Sequence, residues 1–492
     1  MQQFLCPQCG ASVRFDSAGA VMVVCGSCRS TITRDAEAAR LVGVMAELVE
    51  DGSLVQLGTR GRAGQRGFQV LGGLRLRYEA GSWNEWYIVF DEGTHGWLSD
   101  ASGQYAITRR DEQADVSLLP SFDELRPGEP AKVGGALYTV SDVRRCRCIG
   151  GEGELPILVG DGWESRVVDA RRGDAFVTLD YSDATPVVYS GTAGQIRFDK
   201  DTLRRKEEIE ASTGRYRGKV LALDCPSCAG TVSIAVAMAT QVVCPSCSSL
   251  LDCSGDRAEI IEANRRLARF NTTLSLGARG RLGAEYTVIG IMQCDVPTDR
   301  TEPAWTEYLL FNPDQGYLWL VETQEGWQRV SVCDDWPLLH DMGSARWGKR
   351  TWTRKYDYVS RVKQVFGAFN WRVRRGDSTR VTDFACGHET LTREQSDDEV
   401  TWSHAVRMGE VTIADAFGLP RTTRYTRTAP TRPQEDQTPD TGLIWIGIAG
   451  TVTLLWLSEV VDFGAILLGI GLIWAPLAMT GHLRGASSLL ED

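Results

Sequence analysis

At 492 residues the chain is too long for a single core of ordinary domain size, so three or more folded units are expected. Its 43% hydrophobic and 24% charged residues are ordinary for a globular protein, and a net charge of −11 argues against an electrostatic grip on nucleic acid by the whole chain. The 51 glycines are spread along the chain, and together with scattered Val, Thr, Tyr and Trp they predict many short strands and tight turns.

The first unit, residues 1–34, is built on Cys6, Cys9, Cys25 and Cys28: a Cys-x2-Cys pair, fifteen residues, then a second Cys-x2-Cys pair. Two residues between cysteines let both sulfurs of a knuckle face one ion, and a short hairpin brings the second knuckle across to complete a four-thiolate tetrahedron. Such a site has no open coordination position, so the spacing predicts a zinc ribbon with a structural Zn2+. Redox dithiols are the alternative, and they rarely come as matched pairs of pairs. Met1 to Cys9 contains no apolar run of the kind a signal peptide needs. Thiolates that hold a metal need a reducing compartment, which places this part in the cytoplasm.

Residues 35–202 follow as a linker helix, expected over Ala36–Glu50, and a β-rich domain in which Trp86 to Phe90 reads as a buried strand. Within it, Leu57 to Gly64 resembles a phosphate cradle. It lacks the following helix and the Lys-Ser/Thr of a P-loop, so a glycine-turned hairpin feeding a small barrel is expected. Residues 203–220 form a charged linker. A second ribbon, residues 221–254, carries Cys225, Cys228, Cys244 and Cys247. Residues 255–424 repeat the pattern, with a helix expected over Asp256–Phe270, a buried strand at Tyr308 to Phe311, and a β-meander over Thr351 to Asp383. Residues 425–441, rich in Pro, Thr and charge, read as an exposed linker.

The two halves are a duplication in register. All four cysteines recur at an offset of 219, and so does Leu57-Gly58-Thr59-Arg60-Gly61-Arg62 as Leu276-Gly277-Ala278-Arg279-Gly280-Arg281. After one deletion, Phe68 to Gly72 matches Tyr286 to Gly290, and Trp83-Asn84-Glu85-Trp86 matches Trp305-Thr306-Glu307-Tyr308. Further on, Gly173-Asp174 with Asp180-Tyr181 echoes Gly376-Asp377 with Asp383-Phe384.

Residues 442–481 read as a transmembrane helical hairpin. Leu443 to Leu457 and Phe463 to Gly481 are uncharged apolar runs, and Glu459 and Asp462 mark the tight turn between them. Arg421, Arg424, Arg427 and Arg432 precede the hairpin and Arg484 follows it, so both termini and the folded domains are expected on the cytoplasmic side of a bacterial inner membrane.

No catalytic constellation stands out. The five histidines fit no metal-protease, triad or deaminase pattern. Cys386-Gly387-His388 has no counterpart in the first copy, and Cys146-Arg147-Cys148 reads as strand residues. Glu85 and Glu307 correspond between the copies, and a paired or solvent-facing strand glutamate is favoured over acid–base work. Nucleic-acid binding through the ribbons is disfavoured, because Cys225 to Cys253 contains no Lys, Arg or aromatic residue.

The ribbon, the Leu-Gly-x-Arg-Gly element, Trp305 to Phe311, Gly316 to Leu320, and Phe369-Asn370-Trp371 with Gly376-Asp377 resemble domain-of-unknown-function family 4178. Gly153 to Pro156 and Asp180-Tyr181-Ser182 mark the first half as a diverged second copy, and the likeness covers roughly residues 1–420. The resemblance implies no activity. It implies a context of membrane-associated complexes. The expected whole is therefore mainly β and multidomain: two zinc ribbons, each leading a β-rich barrel or meander, plus the hairpin. Its expected role is a membrane-anchored scaffold holding two structural Zn2+, with the bilayer and proteins of a membrane complex as partners, and not an enzyme. A membrane-tethered nucleic-acid-binding or regulatory protein is the alternative, and an enzyme of unknown class the third reading.

Overall fold

The computed structural model describes residues 2–44, 53–205 and 272–420, apart from 16, 18, 35–38, 161, 195, 300–302 and 342, and short stretches between 215 and 262. The first module contains β1 (Gln2–Leu5) paired with β2 (Ser12–Phe15), then β3 (Met22–Val24), β4 (Ser30–Arg34) and β5 (Ala39–Val44). Its small core is Cys6, Val13, Phe15, Ala20, Val23, Cys25 and Ile32.

The first β-rich domain is a closed barrel. After a leading hairpin strand β6 (Arg60–Ala63) come β7 (Arg66–Arg77), β8 (Ser82–Phe90), β9 (His95–Ala101) and β10 (Gln104–Arg110) as one antiparallel meander. A short β11 (Pro130–Val133) leads into β12 (Ala136–Leu155), which begins a second meander with β13 (Glu164–Arg172), β14 (Ala175–Asp180) and β15 (Val187–Ala193). Pairing of β10 with β15 and of β7 with β12 closes a ring of eight strands. Strand β16 (Ile196–Phe198) caps the leading hairpin.

Between the barrels lie the short strands β17 (Arg215–Tyr216), β18 (Lys219–Val220), β19 (Leu223–Asp224) and β20 (Thr231–Val232). They are followed by β21 (Gln241–Val243), β22 (Leu250–Asp252) and β23 (Glu259–Glu262). The second barrel repeats the first. Its hairpin strand is β24 (Arg279–Leu282), and its first meander is β25 (Ala284–Asp295), β26 (Trp305–Asn312), β27 (Gly316–Thr323) and β28 (Gly326–Val332). Strands β29 (Leu338–Asp341) and β30 (Ser344–Trp347) precede the second meander, β31 (Arg350–Phe369), β32 (Ser378–Cys386), β33 (Glu389–Gln395) and β34 (Val400–Met408). Pairs β28–β34 and β25–β31 close it, and helix α1 (Glu410–Phe417) packs Ile413 and Phe417 on its outside.

Closure needs glycine at one place in each barrel. Gly72 and Gly153 face each other where β7 meets β12, as Gly290 and Gly367 do where β25 meets β31. Gly153 and Gly367 have φ of +65° and +83°, and a Cβ on either would lie 2.3 Å from a carbonyl oxygen of the facing strand. Only glycine allows strands to approach this closely while the backbone enters the left-handed region.

Three expectations change. Over its described part, the helix expected at Ala36–Glu50 is strand, Ala39–Val44 pairing with Ser30–Arg34. The helix expected at Asp256–Phe270 is likewise strand at Glu259–Glu262, pairing with Leu250–Asp252. The physical cause is the open edge of each module, whose unpaired backbone groups are satisfied by one more strand. The echo between Asp180 and Asp383 is also displaced by one strand, as the registers below show. Residues 442–481, read as a membrane hairpin, lie outside the described residues, and no helix among the described ones is long and apolar enough to cross a membrane.

Candidate metal centre and barrel lumens

The four cysteines of the first module occupy two matching knuckles. Gly10 donates its N–H to the carbonyl of Cys6 at 2.9 Å, and Arg29 donates to Cys25 at 2.9 Å. Cys6 donates to Ala11 at 2.7 Å and Cys25 to Ser30 at 2.9 Å. These bonds curl each loop so that its two sulfurs face the opposite pair. The four Sγ atoms all lie within 4.8 Å of one another, with Cys6 to Cys28 at 3.5 Å and Cys9 to Cys25 at 3.7 Å. Two thiolates on one tetrahedral ion at a zinc–sulfur distance near 2.3 Å stand about 3.8 Å apart, so the residues present fit a metal. In the second module Cys225 and Cys244 are buried, and Cys244 donates to Ser249 at 2.8 Å, the counterpart of the Cys25 bond. Cys228 and Cys247 lie outside the described residues.

Each module is joined to a barrel in the same way. Strand β3 extends the far end of β12 through Met22↔Leu155 and Val23↔Glu154, and β21 extends β31 through Gln241↔Phe369 and Val242↔Ala368.

The barrels put carboxylates inside. Side chains alternate across a strand, so one face of every barrel strand points inward. In the first barrel burial raises Glu85 on β8, reinforced by Asp169 on β13, three pairings away around the ring, and burial raises Tyr189 on β15, reinforced by Asp180 and Glu85. Tyr189 and Asp180 are neighbours on paired strands, whereas Glu85 and Asp169 face each other across the lumen. The outer face is covered instead: Val168 and Ala170 are fully buried against Phe122, Leu125 and Val133. Their inward neighbours Val167, Asp169 and Arg171 retain accessible surface. The lumen is therefore open enough to admit solvent.

Register fixes the equivalence of the copies. Asp169 lies opposite Thr178 and accepts its hydroxyl at 2.6 Å, while Asp383 lies opposite Thr392 and accepts its hydroxyl at 2.7 Å. Asp180 lies opposite Val167 as Glu394 lies opposite Val381. Glu85 accepts the indole N–H of Trp83 at 2.8 Å, and Glu307 that of Trp305 at 2.6 Å. Three inward carboxylates thus recur: Glu85 with Glu307, Asp169 with Asp383, and Asp180 with Glu394.

Their surroundings differ between the copies. Burial pushes Glu85 up to about 7, against the opposing hydrogen bonds from Trp83 and Ser99. Burial raises Asp169 as well, opposed by the Thr178 hydroxyl and by Arg171 and Arg144. In the second barrel burial, reinforced by Glu307 and Asp383, pushes Glu394 up to about 8. By register Arg144 corresponds to Tyr358 and Arg171 to Ala385, so the second lumen has no guanidinium at either place. Glu394 faces the lumen by register but is exposed, so solvent reaches the lumen at this position. Trp305 and Tyr358 meet edge to face at 6.2 Å beside these acids, and Tyr358 donates to Asp383 at 3.5 Å.

With their leading hairpins, the barrels coincide with residues 56–195 and 275–410, and both stretches match the family described as Domain of unknown function (DUF4178). The chain belongs to that family. It carries the family domain twice, and the two four-cysteine modules lie outside the matched residues. No curated protein and no solved structure matches the chain.

Of the residues singled out from sequence, the structure brings together Cys6, Cys9, Cys25 and Cys28 in one group and sets Glu85 and Glu307 in equivalent lumens. Cys146 and Cys148 are buried strand residues, and Cys386 ends β32 at the turn through Gly387. The Leu-Gly-x-Arg-Gly element is the leading hairpin of each barrel. Asp169, Asp180, Asp383 and Glu394 as a repeated set were missed. The signal that finds them is strand register, which the sequence echo misplaced by one strand.

Proposed function

We propose that this is a tethered binding protein whose second barrel takes a small organic cation in its lumen. The observation that carries this reading is the comparison of the copies. Both lumens hold carboxylates at three matching positions, but the first adds Asp142, ion-paired with Arg144, and places Arg144 and Arg171 near Asp169. The second has Tyr358 and Ala385 at those two positions, Trp305 meets Tyr358 edge to face, and burial reinforced by Glu307 and Asp383 pushes Glu394 up. Carboxylates held close together repel one another, and an ammonium or guanidinium group relieves that repulsion while stacking on indole and phenol faces.

The first module, and the second through Cys225, Cys228, Cys244 and Cys247, each hold one structural zinc ion; the sulfur distances in the first and the matching Cys244 bond in the second support this. The hairpin at 442–481 tethers the chain to the cytoplasmic face of a bacterial inner membrane, where protein partners assemble on it; the two apolar runs and the flanking arginines support this.

Calorimetry of the full chain with methylammonium, guanidinium, tetramethylammonium and calcium chlorides tests the ligand reading. An organic cation should bind, and Glu394→Gln and Glu307→Gln should abolish binding while Glu85→Gln leaves it unchanged. Absence of binding at millimolar cation, or binding that survives both substitutions in the second lumen, would refute it. A pull-down from detergent-solubilised membranes, compared with a hairpin-deleted chain, tests the tether and its partners.

A further inference from the structure

We propose that the N-terminal module is a metal-held stopper on the first barrel, so that metal occupancy sets access to the lumen from that end. The inference does not depend on what the lumen binds.

Strand β3 is shared between two cores. Val23 points into the module, in the small core that contains Cys6 and Cys25. Its neighbours Met22 and Val24 point the other way and pack with Leu74, Leu76, Tyr87, Cys146 and Cys148. By register these barrel residues lie on the inward face: Leu74 is opposite Glu85, and Leu76 is opposite Trp83 and Cys148. Met22 is completely buried there. It is a side chain of the module that ends in the mouth of the barrel.

The preceding loop completes the seal. Val21 donates to the carbonyl of Leu155 at 2.8 Å, and the Ser17 N–H donates to Glu154 at 2.8 Å. Gly19 passes so close to the inward ring of Tyr87 that a Cβ there would lie 2.7 Å from its hydroxyl and 3.2 Å from His95 Nε2. The residue after β3 is Cys25, whose Sγ stands 3.7 Å from that of Cys9.

The mechanical consequence follows from size. The module's core is only a handful of residues, too few to hold a fold without a crosslink or a metal. The barrel is a closed ring with cores on its outer face, Phe68, Ile88 and Leu98 among them, that do not involve the module. Metal loss should therefore melt the module first, release β3 from the end of β12, and withdraw Met22 from the mouth. In the second copy β21 makes the equivalent pairing with β31 and runs directly into Cys244, so the same linkage is built twice.

The chain carries its own reporters. Cys146 and Cys148 lie behind the stopper and are buried, while Cys333 is buried in a cluster of the second barrel with Trp336 and Trp402. The full chain is treated with a small thiol reagent before and after metal is stripped by a chelator, and each cysteine is quantified by peptide mass spectrometry. The variant Cys9→Ser, which loses the first metal alone, is run in parallel. Labelling of Cys148 is expected to speed up about tenfold or more when the first metal is lost, with Cys333 unchanged. Met22→Ala, with metal retained, should show part of the same increase. If Cys146 and Cys148 stay protected after the module's own cysteines have reacted, the proposal fails. It fails equally if Cys333 is labelled in step with Cys148, because the metal would then be holding the whole fold rather than one mouth.

Discussion

Replacing Glu85 by glutamine should stabilise the first barrel at alkaline pH and leave it unchanged in mild acid. Glu85 carries its proton up to about 7 in the folded chain, against a usual 4.5, because burial disfavours the carboxylate more than the Trp83 and Ser99 hydrogen bonds favour it. Between those two values the unfolded chain has released the proton and the folded chain still holds it. Folding stability is therefore full below 4.5 and falls as pH rises through about 7, above which the loss is complete. At about 1.4 kcal/mol per pH unit the whole loss is about 3 kcal/mol, and water in the open lumen reduces it to about 1–2 kcal/mol. Glutamine is isosteric with the protonated acid, keeps an acceptor for Trp83 and Ser99, and cannot ionise. Hydrogen exchange of peptides from β8 and β13, compared between the two proteins at one pH so that intrinsic rates cancel, isolates this barrel from the other. Protection should match at about pH 4 and should be higher in Glu85→Gln by about 5–30-fold at about pH 8.5. Equal protection at both values, or lower protection of the variant at the higher one, would mean that the Glu85 charge is compensated in the lumen and that the reasoning is wrong.

Three further outcomes are expected. Gly153→Ala and Gly367→Ala should each cost about 3 kcal/mol or more in urea denaturation, whereas Gly134→Ala, with positive φ but open space, should cost only about 1–2 kcal/mol. Native mass spectrometry should find two zinc ions per chain and one in Cys9→Ser, since losing a thiolate sacrifices much of a binding free energy of about 10–16 kcal/mol. Deleting residues 442–481 should move the protein from carbonate-washed membranes to the soluble fraction, and a full chain that is soluble without detergent would contradict the anchor.

What could be read from the sequence was local or repeated. The cysteine spacing states its chemistry within a single hairpin, because a knuckle needs only four residues to aim two sulfurs. The duplication, the strands at Trp86 to Phe90 and Tyr308 to Phe311, and the hairpin at Leu57 to Gly64 are also properties of short segments, and the β-rich barrel class follows from them. Tertiary structure decided the rest. Alternation shows that a strand has two faces but not which one is inside, and here both faces carry buried apolar side chains, Val168 and Ala170 outside and Leu74, Leu76 and Tyr87 inside, so hydrophobicity alone does not tell them apart. The repeated carboxylates depend on the pairing of strands far apart in sequence, and an error of one strand joined Asp180 to Asp383 when Glu394 is its counterpart. The residues at 39–44 became strand because the edge of the four-cysteine module offered backbone partners that no helix could use, a preference held by the folded neighbour rather than by the segment itself.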